Sequence, residues 1–238
     1  MSALFTLDNL LALLTLSALE IVLGIDNIVF IVVITGRLDT AVRDKARRIG
    51  MFLAMFTRIA LLLGISLILR LTEPLFTVLD HAVSGRDLVL LAGGLFLLAK
   101  ATMEIHEKIE APGEGAHQEG RPAANYVAAV VQIAVLDIVF SLDSVITAVG
   151  MAQELWVMVA AIVAAVAVML FFSGPVGDFV HRHPTVQMLA FAFLLLVGVF
   201  LVAEGLGKHI ERGYIYFAMG FSLFVEFLNL RARKAAAR

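Results

Sequence analysis

The sequence predicts an all-α polytopic membrane protein: seven transmembrane helices, arranged as a 3+3 inverted-topology repeat plus a final helix. Three observations predict it. Of 238 residues, 61% are hydrophobic and only 16% charged, where a soluble domain carries roughly 25% charged residues. Apolar runs of about 20 residues, enough to cross a bilayer as a helix, recur along the whole chain. One acidic motif occurs twice, once in each half.

The predicted spans lie at about 10–34, 50–70, 87–105, 125–147, 155–173, 186–206 and 214–230. The first follows "MSALFTLDNL", which has no basic region and no small-residue cleavage signal after it. It is therefore expected to stay as a membrane helix and not leave as a signal peptide. The second carries Arg58 in its interior and Arg70 at its end, and the third carries Lys100 and Glu104. The fourth holds the second acidic motif. The fifth, "LWVMVAAIVAAVAVMLFF", is uninterrupted. The sixth contains Glu204, and the seventh, "YIYFAMGFSLFVEFLNL", is short but too apolar to expose.

Loop charges set the direction. Arg37, Arg43, Lys45, Arg47 and Arg48 lie between spans one and two, and Lys108 and Arg121 between three and four. Arg182 lies between five and six, and Arg231, Arg233, Lys234 and Arg238 follow span seven. The opposite face carries Arg70, Arg86, Lys208 and Arg212, so the bias is twelve basic residues to four. The positive-inside rule then puts the N-terminus outside and the C-terminus in the cytoplasm. The chain 1–238 is read as one membrane transport domain. It comprises a first repeat at 10–105, a cytoplasmic linker at 106–124, a second repeat at 125–206 and a seventh helix at 214–230. The linker, "HEKIEAPGEGAHQEGRPAA", is acidic and rich in Gly and Pro; its His106 and His117 read as ordinary polar loop residues.

The repeat is carried by aligned segments. "LEIVLGIDNIV" at 19–29 matches "LDIVFSLDSVI" at 136–146 without a gap. Glu20 meets Asp137, Asp26 meets Asp143, and Asn27 meets Ser144. "GLFLLAKATME" at 94–104 likewise matches "GVFLVAEGLGK" at 198–208, with Lys100 opposite Glu204. Three helices per repeat is an odd number, so the second copy must be upside down, as in many secondary transporters.

Carboxylates within a span are costly towards lipid and usually face an interior or an aqueous path. Glu20, Gly24 and Asn27 share a helix face, as do Asp137, Ser141 and Ser144. Asp26 and Asp143 stand six residues beyond their partners, about 120° round a regular helix and about 9 Å along it. One straight helix cannot aim both acids at one small ion. Either the acids form two layers of a path, or the first helix breaks near Gly24, with the second more regular at Ser141. Carboxylate, amide and hydroxyl oxygens make a hard donor set suited to Mn²⁺, Mg²⁺ or Ca²⁺. Two close carboxylates would also take up a proton when the ion leaves, a basis for metal/proton exchange. The competing expectation is that Arg58 or Lys100 neutralises acids that only pack helices, with Lys100 and Glu104 paired four residues apart. Gln132, Glu204 and Glu226 are further candidates for the path.

Composition excludes other classes. No cysteine is present and the net charge is −2, so thiolate chemistry and a basic nucleic-acid surface are absent. No phosphate-binding loop motif occurs, and "HEKIE" lacks the second histidine of a metalloprotease motif. No enzymatic activity and no prosthetic group are expected.

"LEIVLGIDNIVFI", "IAVLDIVFSLDSVITAVG" and "YIYFAMGFSLFVEFLNL", in that order, closely resemble the TerC family, named for tellurium resistance. The resemblance runs from about Asp8 to Leu230 and matches the family's membrane core without an appended regulatory domain. It implies a multi-pass protein of the bacterial inner membrane, in the LysE-like transporter superfamily. It also implies Mn²⁺ export or supply of metal to exported proteins, with Mn²⁺ as cargo. The family's functional positions fall on Glu20, Asp26, Asn27, Asp137, Asp143 and Ser144. The implied partners are membrane lipid, a divalent cation and an exported metalloprotein or secretion component. Rival expectations are a Ca²⁺ or amino-acid carrier of the same fold, or a non-transporting membrane scaffold.

Overall fold

The computed structural model describes residues 6–78, 81–110, 125–151 and 154–236. Within these, side chains at ten positions, Asp26 and Asp143 among them, lie outside the description. Among the described residues, the secondary structure is helical apart from one small hairpin. In order it forms α1 (Leu7–Leu23), α2 (Ile25–Gly36), α3 (Thr40–Leu63), α4 (Ile65–Leu71), β1 (Pro74–Val78) and β2 (His81–Ser84). There follow α5 (Gly85–Glu110), α6 (Tyr126–Met151), α7 (Leu155–Arg182), α8 (Pro184–Gly205) and α9 (Arg212–Ala236).

Local chemistry explains the starts and stops. Thr6 Oγ1 accepts from the Asn9 N–H at 3.2 Å and caps α1; Asp39 Oδ1 accepts from Ala41 N–H at 3.1 Å and caps α3. Pro184 opens α8, where a missing N–H costs nothing. Gly207, at φ 74°, ends α8. The N–H groups of Lys208 and Gly207 donate to Ala203 O and Glu204 O, each at 2.9 Å, the double bond of a Schellman stop.

Among the described residues, five helices are long and apolar enough to cross a membrane: Leu7–Gly36 (α1 and α2 together), α5, α7, α8 and Arg212–Arg233. A sixth is the pair α3–α4, bent by 79°. In α6 the described apolar stretch is Tyr126–Leu142. The outward surface is that of a lipid-facing protein: Phe56, Phe171 and Phe217 are 62%, 75% and 74% exposed, while backbone groups are satisfied within helices.

Several elements differ from the sequence expectation. Span two is bent at Gly64, where the φ and ψ of −88° and 21° leave the helical range. The basic residues Arg43, Lys45, Arg47 and Arg48 ride on the first turns of α3 and not on a loop, because Asp39 nucleates the helix ahead of the apolar run. Arg47 is buried: Cβ atoms built on Gly177 and Gly174 would stand 2.9 and 3.5 Å from its guanidinium, so small residues on α7 make room for it. α5 continues through Glu110, so residues 106–110 of the predicted linker are helical, with His106 Nε2 3.2 Å from Glu110. Residues 111–124, with His117, lie outside the described residues. The hairpin was not expected; Phe76, Thr77 and Val83 supply β-favouring side chains after Pro74.

The chain divides into two compact units. The first holds residues 1–75, 84–86 and 122–177, hence α1–α4, α6 and most of α7; the second holds α5 from Asp87, α8 and α9. In the first, α6 packs most extensively on α3 and also touches α1, α2 and α4. In the second, a Cβ on Gly94 would lie 2.8 Å from Gly198 O, and one on Gly198 3.1 Å from Gly94 O. These two glycines are the aligned first residues of the third-span repeat.

Candidate functional site

The site lies in the first unit, where α1, α3 and α6 each contribute one charged side chain. Glu20 on α1, Arg58 on α3 and Asp137 on α6 are 2%, 3% and 4% exposed. Arg58 Nη1 donates to Glu20 Oε2 at 2.6 Å. Its Nη2 and Nε donate to Asp137 Oδ1 at 3.0 and 3.2 Å. The other Asp137 oxygen accepts from Thr57 at 3.1 Å and Ser141 at 3.3 Å. Both carboxylates are thus held by one guanidinium, whose planar fork suits such bridging. At an effective dielectric of about 20, each ion contact is worth about 4 kcal/mol before the several kcal/mol of desolvation per ion.

Glu20 and Asp137 are the aligned acids of the two repeats, so one arginine serves both halves. The fifth predicted span has no charged residue, so the second half offers no matching cation of its own.

The helix containing Glu20 does break. α1 ends at Leu23, and Gly24 N–H turns to Ile21 O at 3.1 Å, a tighter turn than the α-helix. The interruption is slight, since α1 and α2 together form one span of 30 residues. The equivalent helix, α6, runs unbroken through Ser141. Gly24 is required by crowding: a Cβ there would overlap Met169 Sδ and stand 2.9 Å from Glu20 O.

Below the break, Asn27 is buried and its Nδ2 has no hydrogen-bond partner among the described residues. It borders a small cavity of about 20 Å³, with Arg58, Asp137, Met51 and Met169 among the lining residues. Ser144 is buried, and its hydroxyl donates to Ser141 O at 3.3 Å. Gln132 is half-buried on α6. Asp26 and Asp143 occupy α2 and α6, but their side chains are outside the description. Among the described residues no three His, Asp or Glu side chains converge on a metal position.

The remaining predicted residues are in the second unit. Lys100 Nζ lies 2.9 Å from Glu104 Oε1, four residues along α5. Glu204 Oε1 lies 2.9 Å from His209 Nδ1. Glu226 accepts from Thr185 and, at 3.4 Å, from Asn229 Nδ2. Sequence reasoning missed Thr57, Met51 and Met169. Thr57 was legible as the polar neighbour of Arg58 in an apolar run. The methionines carried no signal, since a thioether lining a cavity looks like one packing a core.

A family model, described as the integral membrane protein TerC family, matches residues 5–238. The chain belongs to the TerC family. Among its TerC-like relatives, a UPF0053 protein of Haemophilus influenzae is 56% identical over 224 residues, covering 94% of each chain. The UPF0053 inner membrane protein YgdQ of Escherichia coli K12 is 54% identical, over 94% of this chain and 93% of its own. A longer relative, the UPF0053 inner membrane protein YoaE of the same strain, is 53% identical over 93% of this chain but only 43% of its own length. No solved structure matches. With such relatives and its own spanning helices, this TerC-family chain is a multi-pass protein of the bacterial inner membrane.

Proposed function

We propose that the chain is a secondary active exporter of a divalent cation, Mn²⁺ in the first instance, with seven spans and the N-terminus outside. Its cargo site is formed by Asp26, Asp143, Asn27 and Ser144, with Glu20 and Asp137 as a second acidic layer of the path. Lys100, Glu104, Glu204 and Glu226, all in the second unit, are further candidate path or counter-ion residues. The observation that supports this most is the burial of the repeat-related acids Glu20 and Asp137 on a shared cation, beside a cavity lined by Asn27. Carboxylates retained at equivalent places of an inverted repeat are the usual furniture of an ion path. Mn²⁺ is preferred because the donors are hard oxygens and because of the TerC resemblance. The reading gives the chain no enzymatic step and no resident cofactor.

The second reading is a non-transporting membrane scaffold or metal-supply assembly factor that serves an exported metalloprotein or the secretion machinery. Arg58 favours it to this extent: the ion triad largely balances its charge without any cargo.

Ion flux in sealed proteoliposomes separates the two. The native protein is expected to move Mn²⁺ down an imposed gradient, with Ca²⁺ slower and a pH gradient tested as the driving force. Asp26→Asn and Asp143→Asn are expected to abolish the flux. Undiminished Mn²⁺ flux in both variants would remove the proposed site, and flux of Ca²⁺ or an amino acid without Mn²⁺ would reassign the cargo.

A further inference from the structure

We propose that Arg58 is a tethered stand-in for the cargo: a built-in cation that holds Glu20 and Asp137 while the carrier is empty and yields them to the divalent ion on loading. This rests on the exporter reading and goes beyond it by assigning the return step of the transport cycle.

Three observations carry the inference. The first is position. In an inverted repeat, the place between equivalent acids is where both halves can ligate one ion, and the guanidinium occupies that place, 2.6 Å from Glu20 and 3.0 Å from Asp137. The second is room. The adjoining cavity, about 20 Å³ and lined by Asn27, Met51, Arg58, Asp137 and Met169, is enough for one water-sized occupant. A dehydrated ion can enter there against Asp137. The third is unused polarity. Asn27 is buried at the wall of this cavity with its Nδ2 donor unpartnered among the described residues, a donor for a water or carboxylate there, so only its amide oxygen could face a cation; the hydroxyls of Thr57 and Ser141 would keep Asp137 oriented after the guanidinium departs.

Charge arithmetic says what the arrangement achieves. Two carboxylates alone carry −2 when empty and 0 with a divalent ion. Adding the permanent charge of arginine gives −1 empty and +1 loaded. Within this acidic layer, the empty state then never carries two uncompensated charges through the low-dielectric interior, where a lone pair of carboxylates is most costly. Arg58 thereby compensates the Glu20–Asp137 layer during the empty return, while Asp26 and Asp143 form the separate cargo layer.

Tracer Mn²⁺ in proteoliposomes tests this by comparing exchange, with Mn²⁺ on both sides, against net flux into metal-free lumen. Exchange cycles only loaded carrier; net flux needs the empty return. Arg58→Met is expected to keep exchange and to lose net flux at least tenfold, whereas Arg58→Lys retains both. Equal losses of exchange and net flux in Arg58→Met, or no loss of either, would overturn the proposal. If Arg58→Met does not fold, Arg58→Lys decides: it keeps the charge but loses the fork. Its apparent KM for Mn²⁺ should then fall several-fold, and an unchanged or higher KM refutes displacement. A native protein with no divalent-ion flux in either mode refutes the exporter reading and this inference with it; native flux with a negative variant result refutes the inference alone.

Discussion

Replacing Arg58 with methionine leaves Glu20 and Asp137 buried without their cation, and the size of the penalty is calculable in outline. All three side chains are at most 4% exposed, so little solvent screening softens the loss. Removing one partner of a buried ion pair costs about 3–5 kcal/mol, and here two acids are orphaned at once, so the upper end applies. The other members of the triad predict a graded order. Glu20→Gln removes one charged contact, Arg58 Nη1 to Oε2, and leaves a neutral Arg58–Asp137 pair; about 1 kcal/mol is expected. Asp137→Asn replaces one of the two oxygens that between them accept four hydrogen bonds, two from Arg58 and one each from Thr57 and Ser141, so two bonds are lost; about 2 kcal/mol is expected at roughly 1 kcal/mol per bond. Thermal unfolding of purified protein in one detergent, followed by size-exclusion fluorescence, ranks the variants. The expected order of stability is native, Glu20→Gln, Asp137→Asn, Arg58→Met. If Glu20→Gln were as damaging as Arg58→Met, charge balance would not be what holds the triad, and the reasoning would fail.

Three further outcomes follow from the packing and the topology. Gly94→Ala drives a Cβ to within 2.8 Å of Gly198 O, a backbone atom that cannot swing away; a loss of about 1–3 kcal/mol is expected, seen as a lower melting temperature, and an unchanged one would mean the contact is not formed. The Cβ of Gly24→Ala meets the flexible thioether of Met169 and also stands 2.9 Å from the backbone Glu20 O, so about 1–3 kcal/mol is expected, only partly recovered in the double variant with Met169→Ala. With no native cysteine, single-cysteine labelling of intact cells is clean: Thr77→Cys should react with an impermeant reagent from outside and Lys108→Cys only after lysis, and the reverse pattern would invert the orientation.

How much of this was legible in the chain differs from element to element. The spans near 155–173 and 186–206 were visible because long apolar runs announce themselves by transfer energy alone. The second span was visible as a run, but its 79° bend at Gly64 was not, since an isolated glycine in an apolar helix tolerates a bend without requiring one. The Lys100–Glu104 contact followed from four-residue spacing. The start of α3 was misplaced, because its first turns are basic and hydropathy does not register a helix that an Asp39 cap begins.

Sequence by itself determined the membrane class and the doubled acidic motif, and left open whether the first helix breaks near Gly24 or runs straight. These are properties of residue identity and local spacing, each felt within a few turns of one helix. Only the tertiary structure decided that Arg58 serves both Glu20 and Asp137, partners 38 and 79 residues away, and that Arg47 is buried against Gly174 and Gly177. Tertiary structure also decided that each compact unit mixes helices from both halves of the chain. In water, the apolar stripe of a helix says which face turns inward. In a bilayer, lipid-facing and buried faces are both apolar, so the pattern no longer encodes rotation. Which buried charge meets which is then settled by helix packing.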